Sequence, residues 1–548
     1  LDAPFPLPLA ELLTDGTLRS LIEAGHIETD GAQAWLVDTG TLRLAAARCA
    51  DPTAQHARIA AQWSQLPPAR QDAAAIARHT LRAGLPAGTA LQAAAQAALR
   101  AGVPAEADRW LQLLDLTAPG SVDFLTDVAH AWAALSQRPE DVDPKSIAQL
   151  RERAADAEQE AMAEALALMF LARRGDRSEA VVTGKALAAR FSEPMPHLAA
   201  EILREVAAAE LAMGQARGAV VSGREALALV EQPVPSRRDV EIADTLAAAL
   251  LADSRPAEAV GLCSQLAARC FGAKLWWGEA TARVWLGRGQ LCLGLRAEAA
   301  DNTARAQRLQ PRHSDPALLA RSKLLQARLA IERGDLRTGR ADLDVARSTA
   351  RALGAEEVLS EACALSLDVA LHLADPEEAR LAIADHAALS RPGRTDHWPA
   401  ALGRWLWLSG DLHGALEAVR VSPEGHGALC VRAEQSRLLL VSGRYDEASR
   451  AAGALARRAS SLDMEELALF GRLVAGAAIG ARDTRYLPLL VRIDRSRWIH
   501  LHLGGLHFDA IRRRIRGEDV TAILRTLQGR AERIQHRLYL ALSQPEGW

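Results

Sequence analysis

The chain of 548 residues has few cysteines, few aromatic residues and no long apolar run. Its six cysteines, none of them in C-x-x-C spacing, are too sparse for a disulfide framework. Cys263 and Cys270, seven residues apart on one helix face, are expected to be buried apolar side chains. No apolar stretch approaches the roughly 18–20 residues that cross a bilayer, and no signal segment opens the chain. We therefore expect reduced thiols, a cytoplasmic location and no membrane contact.

Sequence motifs for catalysis are also missing. No G-x-x-x-x-G-K-[ST] loop occurs, since residues 183–186 (TGKA) end in Ala and follow no glycine-rich loop. There is no H-E-x-x-H and no G-x-S-x-G motif. His500 and His507 align on a helix, but His502 does not, and no cysteine is near enough in sequence to complete a metal site. We predict that the chain is not an enzyme and holds no metal and no cofactor.

A small residue followed five positions later by Ala recurs along the chain and reveals a repeat. Successive copies start 39, 40, 40, 40, 40, 36 and 33 residues apart. The paired positions are Gly175 and Ala180, Gly214 and Ala219, Ser254 and Ala259, Gly294 and Ala299, Gly334 and Gly339, Ala374 and Ala379, Gly410 and Ala415, and Gly443 and Ala448. Each break separates two stretches of helical periodicity, and proline-rich breaks lie between the copies. The pattern predicts helical hairpins stacked into an all-α solenoid.

Two further columns explain how such hairpins would pack. The residue seven before each break is small in six of the eight copies, as at Ala207 and Gly287. The residue three before the break is bulky and apolar, as at Leu251 and Leu291. A small seam beside a large apolar neighbour lets two helices interlock and cover the next pair.

The break at residues 443–448 (GRYDEA) resembles the turn of a tetratricopeptide repeat (TPR), as do Gly175-Asp176 and Gly410-Asp411. The small and Ala columns are similar to that family's Gly/Ala and Ala positions, although the period is mostly 40 rather than 34. Longer helices of this period resemble the TPR-like sensor region of the MalT family of signal-transducing (STAND) ATPases and of large LuxR-type regulators. The resemblance covers roughly residues 90–480. It implies that any ATPase and output domains lie outside this chain.

The N-terminal residues follow another pattern. A short helix at 18–24, a β-hairpin between 25 and 38 with an Asp30-Gly31 turn, and helices from 41 and 51 resemble the winged helix of STAND ATPases. We predict a winged-helix-like module at 1–66, an irregular helical start at 67–160, TPR-like repeats at 161–480 and a basic helical cap at 481–548. Through residue 50, three arginines stand against seven acids, too few to neutralise duplex phosphates.

The predicted cap is basic, with thirteen arginines against six acids between residues 482 and 537. Its densest part is Arg512, Arg513, Arg514 and Arg516. These side chains form either a solvated outer face of capping helices or a docking patch for an acidic partner or nucleic acid.

One column holds more arginine than the composition explains. Only four of the 65 basic residues are lysine, so 61 are arginine, and eight positions should hold about one. The residue six before each break faces the concave surface in a TPR-like hairpin. In five consecutive copies it is Arg288, Arg328, Asp368, Arg404 and Arg437, which we call the ladder. Trp407 is the expected aromatic contact beside it.

The ladder has two interpretations. In the first, the ladder forms a groove for an anion, such as a carboxylate-bearing peptide or a phosphorylated or acidic ligand held by guanidinium groups. Alternatively, Arg328 and Arg404 pair with Asp368 and stiffen the superhelix.

The predicted function is that of a non-catalytic sensor or scaffold that binds a protein, a peptide or a small anionic effector on a concave solenoid surface. Through the resemblance, it would be part of a STAND signalling or transcription regulator. Two alternatives stay open: a free-standing TPR adaptor, and a DNA-binding transcription-factor fragment. The acidic N-terminal module disfavours nucleic acid as a partner.

Overall fold

The computed structural model describes residues 5–6, 27–29, 33–36, 51–65, 72–100, 104–117, 124–137, 142–174, 176–230, 235–309, 315–353, 355–373, 375–389, 398–420, 426–480, 483–493, 499–533, 540 and 543. These residues form 26 α-helices and three short β-strands. The chain divides into two compact units, residues 1–183 (unit 1) and 184–548 (unit 2). The predicted domain boundaries at 66, 160 and 480 stay predictions.

A small antiparallel sheet opens unit 1. Its strands are β1 (Phe5–Pro6), β2 (Ile27–Thr29) and β3 (Gln33–Leu36), in the order β1-β3-β2. Ile27 pairs with Leu36, which confirms the predicted hairpin. The predicted helices at 18–24 and from 41 lie outside the described residues, so the winged helix stays a prediction.

Unit 1 continues as a run of helices. They are α1 (Pro52–Gln65), α2 (Ala73–Arg82), α3 (Gly88–Arg100), α4 (Pro104–Thr117), α5 (Phe124–Gln137), α6 (Pro144–Arg153) and α7 (Ala157–Arg174), and α8 (Arg177–Phe191) carries the boundary to unit 2. Helices α2–α4 enclose one apolar core around Leu91 and Leu111, and α5–α7 enclose another around Leu135 and Leu166. Asp72 caps the first turn of α2 with its carboxylate, as expected for an N-cap residue.

The described residues of unit 2 form nine helix pairs in series. They are α9 (Pro196–Ala212) with α10 (Ala216–Val230), α11 (Arg237–Ala252) with α12 (Pro256–Gly272), α13 (Trp276–Cys292) with α14 (Arg296–Leu309), α15 (Pro316–Arg333) with α16 (Leu336–Ala352), α17 (Glu356–Leu373) with α18 (Pro376–Ala387), α19 (Trp398–Leu408) with α20 (Leu412–Ala418), α21 (His426–Val441) with α22 (Tyr445–Ser460), α23 (Glu465–Ala478) with α24 (Asp483–Ile493), and α25 (Ile499–Ile515) with α26 (Thr521–Arg533). The two helices of each pair pack against each other.

The predicted breaks are the turns within these pairs. Gly294 and Gly334 have φ of 80° and 86°, the left-handed region that ends a helix. Ser254 adopts the same conformation at φ 58° without being glycine. The next N–H donates back to the helix, as from Asp335 to the carbonyl of Ala330 over 2.9 Å. Gly175 and Ala374 lie outside the described residues.

The Ala and small columns form the seam within each pair. The closing alanines are fully buried at 219, 259, 299, 379, 415 and 448. At Gly339, the exception in this column, a Cβ would lie 2.8 Å from Ile331, and at Gly287 it would lie 3.3 Å from the carbonyl oxygen of Ala299 on α14. Larger side chains would separate the helices, which is why the seam is small. The fold is the predicted TPR-like α-solenoid of stacked helical hairpins.

Candidate functional site

The first helix of each pair in unit 2 packs against the first helix of the next pair. This inner layer runs through α9, α11, α13, α15, α17, α19, α21, α23 and α25. The ladder occupies five of these helices in succession. Arg288 lies on α13, Arg328 on α15, Asp368 on α17, Arg404 on α19 and Arg437 on α21. The repeat therefore places one ladder residue on each of five adjacent helices.

The inner layer curves until helices five pairs apart meet. Helix α11 contacts α21, and α15 contacts α25. The turn after α13 follows the same offset, because Arg296 donates a hydrogen bond to Glu466 of α23. A Cβ at Gly294 in that turn would lie 2.9 Å from the same carboxylate. Since all these contacts share one offset, the layer encloses an interior within unit 2.

Arg288 and Arg328 share one carboxylate, which belongs to Glu361 on α17. Arg288 donates to Oε2 of Glu361 on α17 over 2.6 Å, and Nη1 of Arg328 lies 3.9 Å from Oε1. Arg328 also donates to Glu332 over 3.4 Å. Glu332 in turn accepts a hydrogen bond from Arg296 over 2.8 Å. One half of the ladder is thus joined through two glutamates.

Arg404 joins the other half of the ladder. It donates to both carboxylate oxygens of Asp368, at 2.6 and 2.7 Å from Nη2. Its Nη1 donates to Glu434 over 3.2 Å, and Glu434 also accepts from Nε of Arg437 over 3.1 Å. The guanidinium of Arg437 lies over the ring of Trp407, 5.2 Å from its centroid. The pair expected between Arg404 and Asp368 is present, and Glu434 extends it.

The ion pairs named above are balanced in charge. Their guanidinium groups belong to Arg288, Arg296, Arg328, Arg404 and Arg437, and their carboxylates belong to Glu332, Glu361, Asp368, Glu434 and Glu466. Burial alone would lower the pKa of Arg328 and Arg404, but the carboxylates around them raise it above its ordinary value. Both therefore stay charged. Their side chains are nonetheless 19% and 18% exposed, and that of Arg288 is 24% exposed.

Two buried histidines lie near the Arg404 end of the network. His372 is on α17 and His507 is on α25, and both are buried. Burial, followed by the charges of Arg404 and Arg437, lowers the pKa of His372 to about 3. Burial and Arg437 lower the pKa of His507 to about 3. Both imidazoles are therefore neutral at physiological pH.

A second aromatic group borders the network at Trp285. Its ring is buried, and its Nε1 donates to Asp244 of α11 over 2.5 Å. Arg321 donates to both oxygens of Asp244 over 3.1 Å. The guanidinium of Arg288 lies 4.9 Å from the Trp285 centroid. Ladder arginines thus stack on a Trp ring at both ends of the ladder, where the side chain of Trp407 is only partly buried.

The basic segment of α25 does not form one face. Arg512 is fully buried, donates to Asp509 over 2.8 Å and lies 4.7 Å from the Tyr486 ring centroid. Arg514 and Arg516 are exposed, and Arg513 is partly exposed. The expected solvated face or docking patch is therefore wrong for Arg512, because successive helical residues turn by about 100° and one of them enters the core.

Sequence reasoning missed the carboxylates that balance the ladder. Glu434 lies three residues before Arg437 and Glu332 four residues after Arg328, the spacings at which helical side chains meet. These two could have been found from the sequence. Glu361 and Glu466 meet arginines on other helices, and Glu466 lies 170 residues from Arg296. No local spacing signals such a pair.

In the part of the chain that the structure describes, no group of three or more His, Cys, Asp or Glu side chains is placed to hold a metal ion. Among the same residues, no helix combines the length and apolar character needed to span a bilayer. The expectation for Cys263 and Cys270 is confirmed, because both are buried.

Comparisons with known proteins return structural likeness only. No protein-family profile matches the chain, and no curated protein matches it. The apo form of RapI aligns with a TM-score of 0.44 and 12% identity, covering 64% of this chain and 98% of its own. A Rap protein complexed with competence and sporulation factor aligns with a TM-score of 0.42 and 13% identity, covering 70% of this chain and 99% of its own. Yeast Tom70 aligns with a TM-score of 0.34 and 14% identity, covering 89% of this chain and 99% of its own. With TM-scores below 0.5, the fold assignment depends on the helix pairs of this chain.

Proposed function

We propose that the chain is a non-catalytic scaffold or sensor whose unit 2 binds a protein or peptide partner, or a small anionic effector, at the ladder and Trp407. The observation that carries this proposal is the row of charged side chains on successive inner-layer helices. These side chains meet in the interior and yet keep about a fifth of their surface exposed at Arg288, Arg328 and Arg404.

Stability alone is a weak reason for such a network. Replacing a buried ion pair with apolar side chains of similar volume is often neutral or stabilising. The neighbouring seams of unit 2 are built from Ala and Leu, so the fold has apolar solutions for the same kind of contact. Partly exposed guanidinium groups on a fixed frame are, in contrast, suited to carboxylate or phosphate groups that a ligand brings.

The pairs differ in how tightly they are held. Arg404 grips Asp368 through both oxygens, whereas Arg328 lies 3.4 and 3.9 Å from its two glutamates. A ligand anion exchanges more easily with the longer pairs. Arg328 is therefore the residue through which we expect a partner to be held, with Arg404 keeping the frame. Arg288 is held at 2.6 Å but shares Glu361 with Arg328, so the two arginines are tested together.

The test is capture of partners from lysate by the intact chain. We expect the Arg288→Gln, Arg328→Gln variant to lose at least tenfold in partner captured per folded molecule. Its thermal midpoint should fall as well, because the buried Glu361 loses both guanidinium partners. The matched control is Arg380→Gln, which removes an exposed arginine that pairs with Glu377 three residues away. Undiminished capture by the double variant, or a loss explained by an equal loss of folded protein, would refute the proposal.

We further propose that this scaffold belongs to a STAND-type regulator, in which ligand binding shifts the superhelix between two curvatures. The support is the TPR-like repeat of about 40 residues and the β-hairpin that precedes it. A reading frame that encodes a P-loop upstream of Leu1 is the expected result. A start codon there would favour the free-standing adaptor, and a salt-dependent shift of duplex DNA would favour the DNA-binding alternative.

A further inference from the structure

We propose that the inner-layer surface of α17 and α19 beside Trp405 and Trp407 is a docking groove for an amphipathic helix of a partner, and that α26 occupies it as an intramolecular substitute. This inference goes beyond the proposed function, because it does not require that the ladder bind a ligand.

The groove and its cover form one apolar cluster. From the inner layer it contains Leu371 of α17 together with Trp405, Trp407 and Leu408 of α19. Helix α25 adds Leu503 and Leu506, and α26 adds Leu527 and Ala531. The cluster thus joins α26 to α19 and α17, which lie three and four helix pairs earlier in the chain.

Helix α26 is held much less firmly than α25. In α25, the side chains of Leu501, Phe508 and Ala510 are fully buried, and Phe508 packs edge-on against Phe470 of α23. Among the side chains of α26 whose burial is described, Leu527 and Ala531 are fully buried, four residues apart on a single stripe. Departure of α26 would uncover Leu503 of α25, which belongs to the same cluster, whereas Leu501 and Phe508 belong to a separate cluster with α23 and would stay covered.

The connection between the two helices permits such a movement. It runs from residue 516 to residue 520 and includes Gly517 at φ 71°. Gly517 and Asp519 are exposed, and Asp519 caps α26 by accepting from the N–H of Thr521 over 3.0 Å. The cap lies within the departing segment, so α26 keeps its own N-terminal hydrogen bonds when it moves.

The seated helix defines the chemistry of the partner. The groove takes a leucine with a small residue four positions later, while the polar side chains of Arg525, Thr526 and Arg530 face solvent. Large and small apolar residues at this spacing form the stripe that helix-in-groove recognition uses. The partner is therefore an amphipathic helix with a Leu-x-x-x-Ala-like stripe.

The experiment uses a fluorescein-labelled peptide of residues 519–533 as the probe and the full chain as its receptor. Leu527→Asp in the full chain should release α26, and we expect this variant to bind the peptide at least tenfold more tightly than wild type, in which α26 competes. A peptide carrying Leu527→Asp should not bind. The matched control is Arg525→Asp in the full chain, an exposed position on the same helix, which should behave as wild type.

A folded Leu527→Asp chain that fails to bind the peptide overturns the proposal, as does equal binding by wild type. If that variant does not fold, hydrogen exchange of the wild-type chain decides: amides of α26 should exchange at least tenfold faster than those of α25, and equal protection overturns the proposal. The Arg288→Gln, Arg328→Gln variant should leave α26 exchange unchanged, which separates this outcome from that of the ladder test.

Discussion

Glu434 joins two ladder arginines through one buried carboxylate. It lies on α21 and accepts hydrogen bonds from Nε and Nη2 of Arg437 and from Nη1 of Arg404. The side chains of Arg437 and Glu434 are only 4% and 5% exposed. Glu434→Gln keeps the size of the side chain and removes its charge, so it tests the electrostatic part of these contacts alone.

The expected loss of stability arises because Glu434→Gln leaves a buried guanidinium without a carboxylate partner. Removing one partner of a buried ion pair costs about 3–5 kcal/mol, because the other charge stays buried without compensation. Arg404 retains both oxygens of Asp368, so the cost falls mainly on Arg437. The amide oxygen of Gln still accepts one hydrogen bond, and we therefore expect the lower end, about 3 kcal/mol.

The assay is hydrogen exchange of α21 amides in the native chain, since helical repeats open locally rather than in one step. A loss of about 3 kcal/mol corresponds to exchange that is roughly a hundredfold faster. The control is Glu447→Gln on α22, where Glu447 pairs with Arg444 at the same three-residue spacing but in solvent. We expect no measurable change there. Unchanged exchange in Glu434→Gln, or equal effects of the two variants, would refute the reasoning.

Three further outcomes are expected. Burial raises the pKa of Cys270 to about 12, so native protein at pH 8 should leave this thiol unlabelled by iodoacetamide until it is unfolded. The pKa values of His372 and His507 are about 3 in the folded chain and about 6.5 in the unfolded chain. Between these pH values the unfolded chain binds more protons, so the free energy of unfolding should fall on acidification by about 1.4 kcal/mol per pH unit for each histidine. His372→Gln should reduce this slope. Glu466→Gln should speed amide exchange near Arg296 at the start of α14 and near residue 466 on α23. Unchanged exchange would show that this ion pair does not hold these two helices together.

The fold could be predicted because its determinants are local in sequence. A left-handed residue such as Gly294 ends a helix through its own backbone, and an alanine such as Ala299 sets the closest approach of the next helix. Both act within a few residues, so they recur with the period of the repeat. The ladder residues also recur with the repeat period. They occupy the same position in successive hairpins and therefore lie on adjacent inner-layer helices.

The rest depends on contacts between distant parts of the chain. The curvature that brings α11 to α21 accumulates over five helix pairs from small rotations that no motif encodes. The apolar cluster that contains Leu371 and Leu527 depends on that curvature, and so does the pair between Arg296 and Glu466. Arg512 was misplaced for a related reason, because its partner Tyr486 is 26 residues away on α24. Composition identified the basic segment without indicating which arginine enters the core.

Charge balance constrains the ligand that the ladder can take. Each ladder guanidinium already faces a carboxylate, so an incoming anion gains only the difference between its own contact and the one that it replaces. Glu361 is shared by Arg288 and Arg328, and its displacement changes the surroundings of both arginines at once. A purely acidic ligand would leave that carboxylate uncompensated in the interior. A ligand that brings a cation for Glu361 together with an anion for the arginines keeps every charge paired, and a peptide with mixed charges meets this requirement better than a simple anion.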